Sequence, residues 1–317
     1  MNREEKDFLK NYSIEKYERP SVAADIVVFA VMNTREEENY RKNREKRLKV
    51  LLVRRGEHPY KQCWALPGGF VRPGETVEET AARELKEETG VGSAAFILSG
   101  INAQNGRDPR GWIISTSYIS LIDGNECNLR ADTDAWEAAW FSMEVDTVEV
   151  NAAEVDAAKV DTEEIMSDEK IQSVRKHIIT LQRDGVVGQN NIGTENILTL
   201  KAEIIETTEY YGYHMKSRYV IKESEDIAFD HAEILLSSLL KLRDITEHDM
   251  RVAFDFLPKE FTLAQVQEVF EQVLGYKLLT ANFRRKIADY VVEGEHYIEG
   301  EGHRPAKLFM RNEKKWR

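Results

Sequence analysis

The chain has 317 residues, 42% hydrophobic and 32% charged, with a formal net charge of −12. That length suits about two domains, each with its own core, and a uniformly acidic chain is excluded as a general binder of phosphate backbones. The two cysteines, Cys63 and Cys127, supply neither a disulfide framework nor a thiolate zinc site, and no apolar run approaches the roughly 18 residues that would span a bilayer.

The average charge hides an asymmetry. Residues 275–317 carry ten Lys and Arg against six Asp and Glu, a local +4 that leaves −16 on the rest. A basic end points to a module with its own partner, or to a tail that only solubilises. The start, MNREEKDFLK, is charged and lacks an apolar h-region. A cytoplasmic protein with no membrane association is expected.

Taken in order, residues 1–20 read as a polar, helical lead-in ending at Pro20. Ala24–Met32 (ADIVVFAVM) is a β-branched, apolar run expected to form a buried strand. The charge-dense Thr34–Arg47 reads as a loop or hairpin extension, and Leu48–Val53 as a second strand. Pro73-Gly74 marks a turn. Thr76–Thr89 reads as a helix closed by Gly90, which suits the position after a helix end. Trp112–Ile122 and Ala138–Phe141 are further strands. Ser142–Asn191 is acidic, with a helix expected at Glu169–Gln182. Ile197–Glu206 and Tyr210–Ile221 alternate as a β-hairpin. Ile227–Leu242 has helical periodicity and is expected to pack back onto the sheet. Two helices, Leu263–Leu274 and Ala281–Val292, follow, then a hairpin near His296–Met310.

The chemistry concentrates in GFVRPGETVEETAARELKEETGV, Gly69–Val91. Glu84, Glu87 and Glu88 stand at i, i+3 and i+4 and share one helix face. Val77, Ala81 and Leu85 form the neighbouring apolar stripe. Three like charges on one turn repel, and a hard divalent cation relieves the repulsion by taking carboxylate oxygens as ligands. Glu75 follows the Pro-Gly turn and can reach the same place. Arg83 can pin a neighbouring carboxylate, and the Gly68-Gly69 backbone can approach an ion or phosphate closely.

Nine fixed positions of this segment (Gly69, Glu75, Arg83, Glu84, Leu85, Glu87, Glu88, Gly90 and Val91) coincide with the Nudix box, so the segment resembles the Nudix hydrolase family without departure. The resemblance implies an α/β fold: a mixed-sheet α/β/α sandwich with the box as loop–helix–loop. It implies cleavage of a phosphoanhydride in a nucleoside diphosphate derivative, with Mg²⁺ or Mn²⁺ held by the box. Glu84, Glu87, Glu88 and Gly68 are then the expected metal ligands, with Arg83 orienting the carboxylates and the general base left open.

KQCWALPGGFVRPGE and GRDPRGWIISTSYISL are similar to the ADP-ribose pyrophosphatase branch and its regulator relatives. Gly69, Arg54, Arg107 and Arg110 are the candidate substrate contacts. Trp64, Phe70 and Trp112 are open as stacking residues, though aromatics in strands usually belong to the core. His231, among apolar neighbours, reads as a core histidine, and the seven histidines show no metal-ligand spacing.

At the C-terminal end, Thr262 with Gln265 makes a capping-box pattern, and Leu263, Val266, Phe270, Val273 and Leu274 make a stripe. Phe283, Ile287, Tyr290 and Val291 form one apolar face of the second helix. Asn282, Arg284, Arg285 and Lys286 lie off that face, and Arg304 and Lys307 stand in the hairpin, a pattern of helix-turn-helix type. The stretch resembles the winged-helix domain of Nudix-related regulators of NAD metabolism, which implies double-stranded DNA as a partner and a homodimer.

The expected layout is a Nudix domain over residues 1–245 and a winged-helix domain over 250–317. The first has a core at 20–145, an insertion at about 142–222 and a return helix at 227–242. Two functions remain open: a hydrolase taking ADP-ribose to AMP and ribose 5-phosphate, and an ADP-ribose-sensing regulator with little or no hydrolysis. A basic module that only dimerises is the third reading.

Overall fold

A computed structural model describes residues 2–33, 46–92, 95–124, 135–150, 171–183, 198–211, 214–300 and 303–316. After helix α1 (Arg3–Asn11), strands β1 (Ser21–Asn33), β2 (Lys46–Arg55), β3 (Trp64–Ala65) and β4 (Gly68–Phe70) lead to helix α2 (Val77–Thr89). Strands β5 (Phe96–Asn102), β6 (Ile113–Ile122), β7 (Ala135–Glu149), β8 (Ile171–Arg183), β9 (Leu198–Tyr211) and β10 (His214–Ser224) follow, then helix α3 (His231–His248).

The ten strands form one sheet in the order β10-β9-β8-β7-β2-β1-β6-β5, with β3 on β2 and β4 on β1. Strands β1 and β6 run parallel, from Ser21 opposite Ile113 to Ala30 opposite Ile122; the other pairs are antiparallel. The mixed sheet carries α2 on one face and α3 on the other. Both faces of β1 are therefore covered, which is why its residues from Ala24 to Val31 are buried without alternation.

Helix α2 starts where Thr76 accepts from the Glu79 amide while Glu79 reaches back to the Thr76 amide. It stops at Gly90, whose φ of 74° is left-handed. Ala81 and Leu85 are buried against Ala24, Ile26, Val28 and Leu51. Full burial of a leucine side chain contributes about 1.5–3 kcal/mol, more than a cap of about 1 kcal/mol, so the stripe fixes the helix's orientation and the caps fix its ends.

Several expectations shift. The helix expected at Glu169–Gln182 is strand β8; residues 169 and 170 lie outside the described ones. Ile178, Ile179 and Thr180 are β-branched, and His177, Ile179 and Leu181 are buried at a spacing of two between β7 and β9. The described residues of the insertion expected at about 142–222 widen the same sheet, since β7 runs through residue 142. Most of the loop expected at Thr34–Arg47 lies outside the described residues, and Lys46 and Arg47 are already strand. Strand β5 was not foreseen. The return helix begins at His231, because Ile227 instead bridges to Trp64.

Beyond a 3-10 turn at Val252–Phe256, helix α4 (Leu263–Leu274), helix α5 (Thr280–Ile287) and a hairpin of β11 (Val291–Gly300) and β12 (His303–Arg311) complete the chain. Helix α5 is shorter than the expected Ala281–Val292: Ala288–Tyr290 tightens to a 3-10 turn and Val291 already pairs with Arg311. This unit shares one apolar cluster with the sheet and α3. The Leu48 amide donates to Gln272 Oε1 at 3.3 Å, Lys46 pairs with Glu268 at 3.7 Å, and Arg243 of α3 donates to the Val273 carbonyl at 3.1 Å.

Candidate functional site

The box carboxylates Glu84 and Glu88 meet β4 through the second half of α2, at Gly69 and Gly68. Strand β4 lies beside β1, with Gly68 opposite Asp25 and Gly69 opposite Ala24. A Cβ at Gly69 would overlap the Glu84 carboxylate, so glycine there leaves that carboxylate its place against β4. Arg83 is the hub. Its Nε and Nη2 donate to the two oxygens of Glu75 at 2.7 and 3.0 Å, and its Nη1 lies 2.5 Å from Glu84 Oε1 and 3.3 Å from Glu87 Oε2. Arg72 adds a contact to Glu87 at 3.4 Å.

Glu75 also accepts from Thr80 Oγ1 at 2.9 Å and from the Arg72 amide at 3.2 Å. The Arg83 hydrogen bonds, helped by these, hold Glu75 down at about 2. Glu88 is the opposite case. Burial, with Glu84 and Asp25 nearby, pushes it up to about 8, against the opposing pull of the Gly68 amide, which donates at 3.0 Å, and of Arg55. A carboxylate placed where its anion is disfavoured, next to a second carboxylate, suits a divalent cation. Among the described residues no three acidic, His or Cys side chains are already gathered as a metal cage. Arg83 holds Glu84 and Glu87 by one oxygen each, Oε1 of the first and Oε2 of the second, and leaves each a second oxygen to offer as a ligand. The donor set thus fits a hard cation.

Beside the box opens a cleft of ≈ 100 Å³, lined among others by Asp25, Arg55, Phe70, Arg107, Arg110, Phe229 and His231. Asp25 is buried, 2.6 Å from Ser115 Oγ and 3.4 Å from Arg107 Nη2. Arg107 forks onto Asp230, both contacts at 2.7 Å, so its planar donors bind the N-terminal end of α3. Arg110 pairs with Asp108 at 2.6 Å.

Of the expected substrate contacts, Gly69, Arg107 and Arg110 line this cleft. Arg54 does not: its Nε donates to the Gln62 carbonyl at 3.1 Å and it faces Glu137 at 3.8 Å. The strand's period of two puts its neighbour Arg55 into the cleft instead. His231 is buried but is more than packing, since its Nδ1 accepts from the Leu66 amide at 2.9 Å and its ring lines the cleft. Burial holds His231 below its usual range, which leaves Nε2 to carry the proton. Trp64 is core, edge-on to Phe141, and Trp112 is exposed. Asp25, Arg55, Phe229 and Asp230 escaped sequence reasoning. The one available signal was the polar pair Asp230-His231 within an apolar run.

The second candidate site is the basic face of α5. Gln267 donates to the Leu278 carbonyl at 3.1 Å and Glu271 accepts from the Leu278 amide at 3.1 Å, fixing the turn between α4 and α5. Phe270 and Phe283 meet edge to face at 5.1 Å. With Phe283 and Ile287 buried, Asn282, Arg284, Arg285 and Lys286 are exposed together. Arg285 donates to Asn282 at 3.2 Å. Lys307 is ion-paired to Glu293 across the hairpin, and the side chain of Arg304 lies outside the described residues.

Fold and site together define a Nudix protein with a winged helix. Residues 32–171 match the NUDIX domain, and residues 253–310 match the NrtR DNA-binding winged helix domain. An ADP-ribose pyrophosphatase of Methanocaldococcus jannaschii is 40% identical over 141 residues, 44% of this chain and 73% of that protein. The chain therefore belongs to the Nudix family. The ADPR responsive transcriptional repressor NtrR of Acinetobacter baylyi is 25% identical over 310 residues, 96% of this chain and 87% of its own. Among solved structures, a MutT/nudix family protein from Enterococcus faecalis aligns over 98% of this chain and 99% of its own, at TM-score 0.58 and 25% identity. Shewanella oneidensis NrtR complexed with a 27mer DNA has the same fold, at TM-score 0.53 and 21% identity over 92% of this chain and 93% of that one. No helix among the described residues is long and apolar enough to cross a membrane.

Proposed function

We propose that the chain is a divalent-metal-dependent hydrolase of a nucleoside diphosphate derivative, ADP-ribose foremost, joined to a DNA-binding winged helix. The observation that carries this is the inward-facing Glu88 carboxylate. It lies against Gly68 and beside Glu84, a place unfavourable for an anion unless a cation joins it. The name of the archaeal relative supports ADP-ribose as the substrate.

Glu84, Glu87, Glu88 and the Gly68 carbonyl would hold Mg²⁺ or Mn²⁺, which supplies water activation and charge neutralisation at the phosphoanhydride. Arg83 positions Glu84 and Glu87, and Glu75 in turn orients Arg83. Arg55 and Arg110 present cationic groups to the cleft for the diphosphate, while Arg107 braces Asp25 and Asp230. The test is metal-dependent release of AMP and ribose 5-phosphate from ADP-ribose. Tight binding with negligible release would remove the hydrolase.

A second reading is an ADP-ribose-responsive regulator that hydrolyses little. One specific arrangement favours it. Helix α3 starts at the cleft with His231, preceded by Asp230 on Arg107, and reaches the winged-helix unit through Arg243. The full-length likeness to a repressor is consistent with it. Under this reading the chain is a cytoplasmic homodimer. Salt-sensitive binding to duplex DNA, weakened by ADP-ribose, would support it; indifference to ADP-ribose would sink it.

A further inference from the structure

The segment between β10 and α3 is wound against its preferences. Asp226 and Phe229 have φ of 55° and 54°, and across from them Tyr60 has φ of 58°. The left-handed region is an outlier for a bulky side chain, and such conformations persist where the surroundings over-determine them. Phe229 lines the cleft and also packs on the small apolar cluster of Val53, Ala65 and Ala228.

Flat groups surround that ring. The Arg55 guanidinium carbon lies 4.8 Å from the Phe229 centroid and that of Arg110 5.3 Å from it. Arg110 is also 5.0 Å from the centroid of Phe70. Tyr60 packs on Phe229 at 4.7 Å. The side chain of Arg110 is 42% exposed, and when it turns away its buried partner Asp108 keeps the Arg110 amide as a donor at 2.9 Å. Arg55 contacts the Pro59 carbonyl at 2.8 Å and keeps its charge toward the cleft.

We propose that Phe229 is the specificity-determining residue for the base end of the ligand. A planar nucleobase takes the place of the Arg110 guanidinium between Phe70 and Phe229, and Arg110 turns toward the adjoining phosphates. A guanidinium and a nucleobase are both flat π-systems that stack on aromatic faces, so a gap that admits one suits the other. Arg55 and Arg110, both within 5.3 Å of one ring centroid, select an anionic group next to the base, which is the pattern of a nucleotide. This rests on reading the cleft as a nucleoside-diphosphate site.

The test uses the full chain without added metal, with AMP and ribose 5-phosphate as calorimetric probes. Phe229→Gly removes the ring and relieves the left-handed backbone at that position, and unchanged binding of ribose 5-phosphate reports that the cleft still folds. It is expected to weaken AMP by roughly 5- to 100-fold, the span that one base stack supports, and to leave ribose 5-phosphate unchanged. Phe229→Trp should retain AMP. Unchanged AMP binding in Phe229→Gly, equal loss of both probes, or no AMP binding by the unaltered chain would each overturn the proposal. The enzymatic reading fails separately: base-dependent AMP binding without any ADP-ribose cleavage removes the hydrolase and keeps the clamp.

Discussion

Arg83 grips both oxygens of Glu75, Nε on Oε1 at 2.7 Å and Nη2 on Oε2 at 3.0 Å, while its remaining nitrogen serves Glu84 and Glu87. One planar fork thus ties the turn before α2 to the face of α2 that carries the carboxylates. Lysine offers a point charge and cannot reproduce the fork. Arg83→Lys is expected to keep the fold and lose about 10–100-fold in metal affinity, as for residues that orient ligands. Metal titration followed by calorimetry checks this, and unchanged affinity would remove Arg83 from the site.

The same contact sets a pH dependence. Glu75 is held at about 2, below its ordinary 4.5. A depressed carboxylate contributes stability that is complete above the unfolded value and is lost as pH falls through the folded one. The fork should therefore be intact from neutrality to about pH 5 and weaken progressively between 4.5 and 2. In Glu75→Gln, acid unfolding followed by circular dichroism should show a shallower slope in that window.

Glu88→Gln keeps the size of the side chain and removes an anion that burial disfavours. The metal-free variant should melt at or above the temperature of the unaltered chain. Added Mg²⁺ should stabilise the unaltered chain by about 2.7 kcal/mol at a hundredfold excess over Kd and do much less for the variant, which should also lose turnover. Equal stabilisation of both by Mg²⁺ would exclude Glu88 as a ligand.

On the wide end of the sheet, His177 of β8 sits 3.0 Å from Glu206 of β9, with Thr147 of β7 2.9 Å from the other ring nitrogen and Tyr219 of β10 3.3 Å from Glu206. Four strands are thereby cross-linked through one buried carboxylate. Glu206→Ala removes the carboxylate that His177 Nε2 and the Tyr219 hydroxyl contact and is expected to cost about 3 kcal/mol, read as a lower urea midpoint. A change below about 0.5 kcal/mol would show that the strands hold register without the network.

In the winged helix, Arg284 and Arg285 are exposed on the face of α5 opposite Phe283. Replacing both with alanine should weaken duplex binding and reduce the dependence of log K on log salt by about 2, one for each lost phosphate contact. ADP-ribose turnover should be unaffected. Phe283→Ala, in contrast, removes a buried ring and should destabilise the unit by about 3–5 kcal/mol. An unaltered salt slope in the double variant would place the nucleic-acid surface elsewhere.

Helix α2 was legible in the sequence because everything that specifies it is local. The Thr76 cap, the stripe of Val77, Ala81 and Leu85, the acidic turn and Gly90 fall within fifteen residues, and helical periodicity places side chains on faces without further information. The caps of α4 were legible for the same reason. Strand β8 was not, since its Ile and Val residues satisfy a short helical pattern until β7 and β9 supply the hydrogen bonds that make it a strand. Neither was the cleft, which joins Asp25, Arg55, Arg107 and Phe229 from across two hundred residues. Which of Arg54 and Arg55 faces it depends on strand register, and register is decided by long-range pairing and burial. The sequence by itself determined a box able to hold a divalent cation. Only the tertiary structure decided what that box faces, because a ligand site is assembled by contacts between segments that carry no mark of one another.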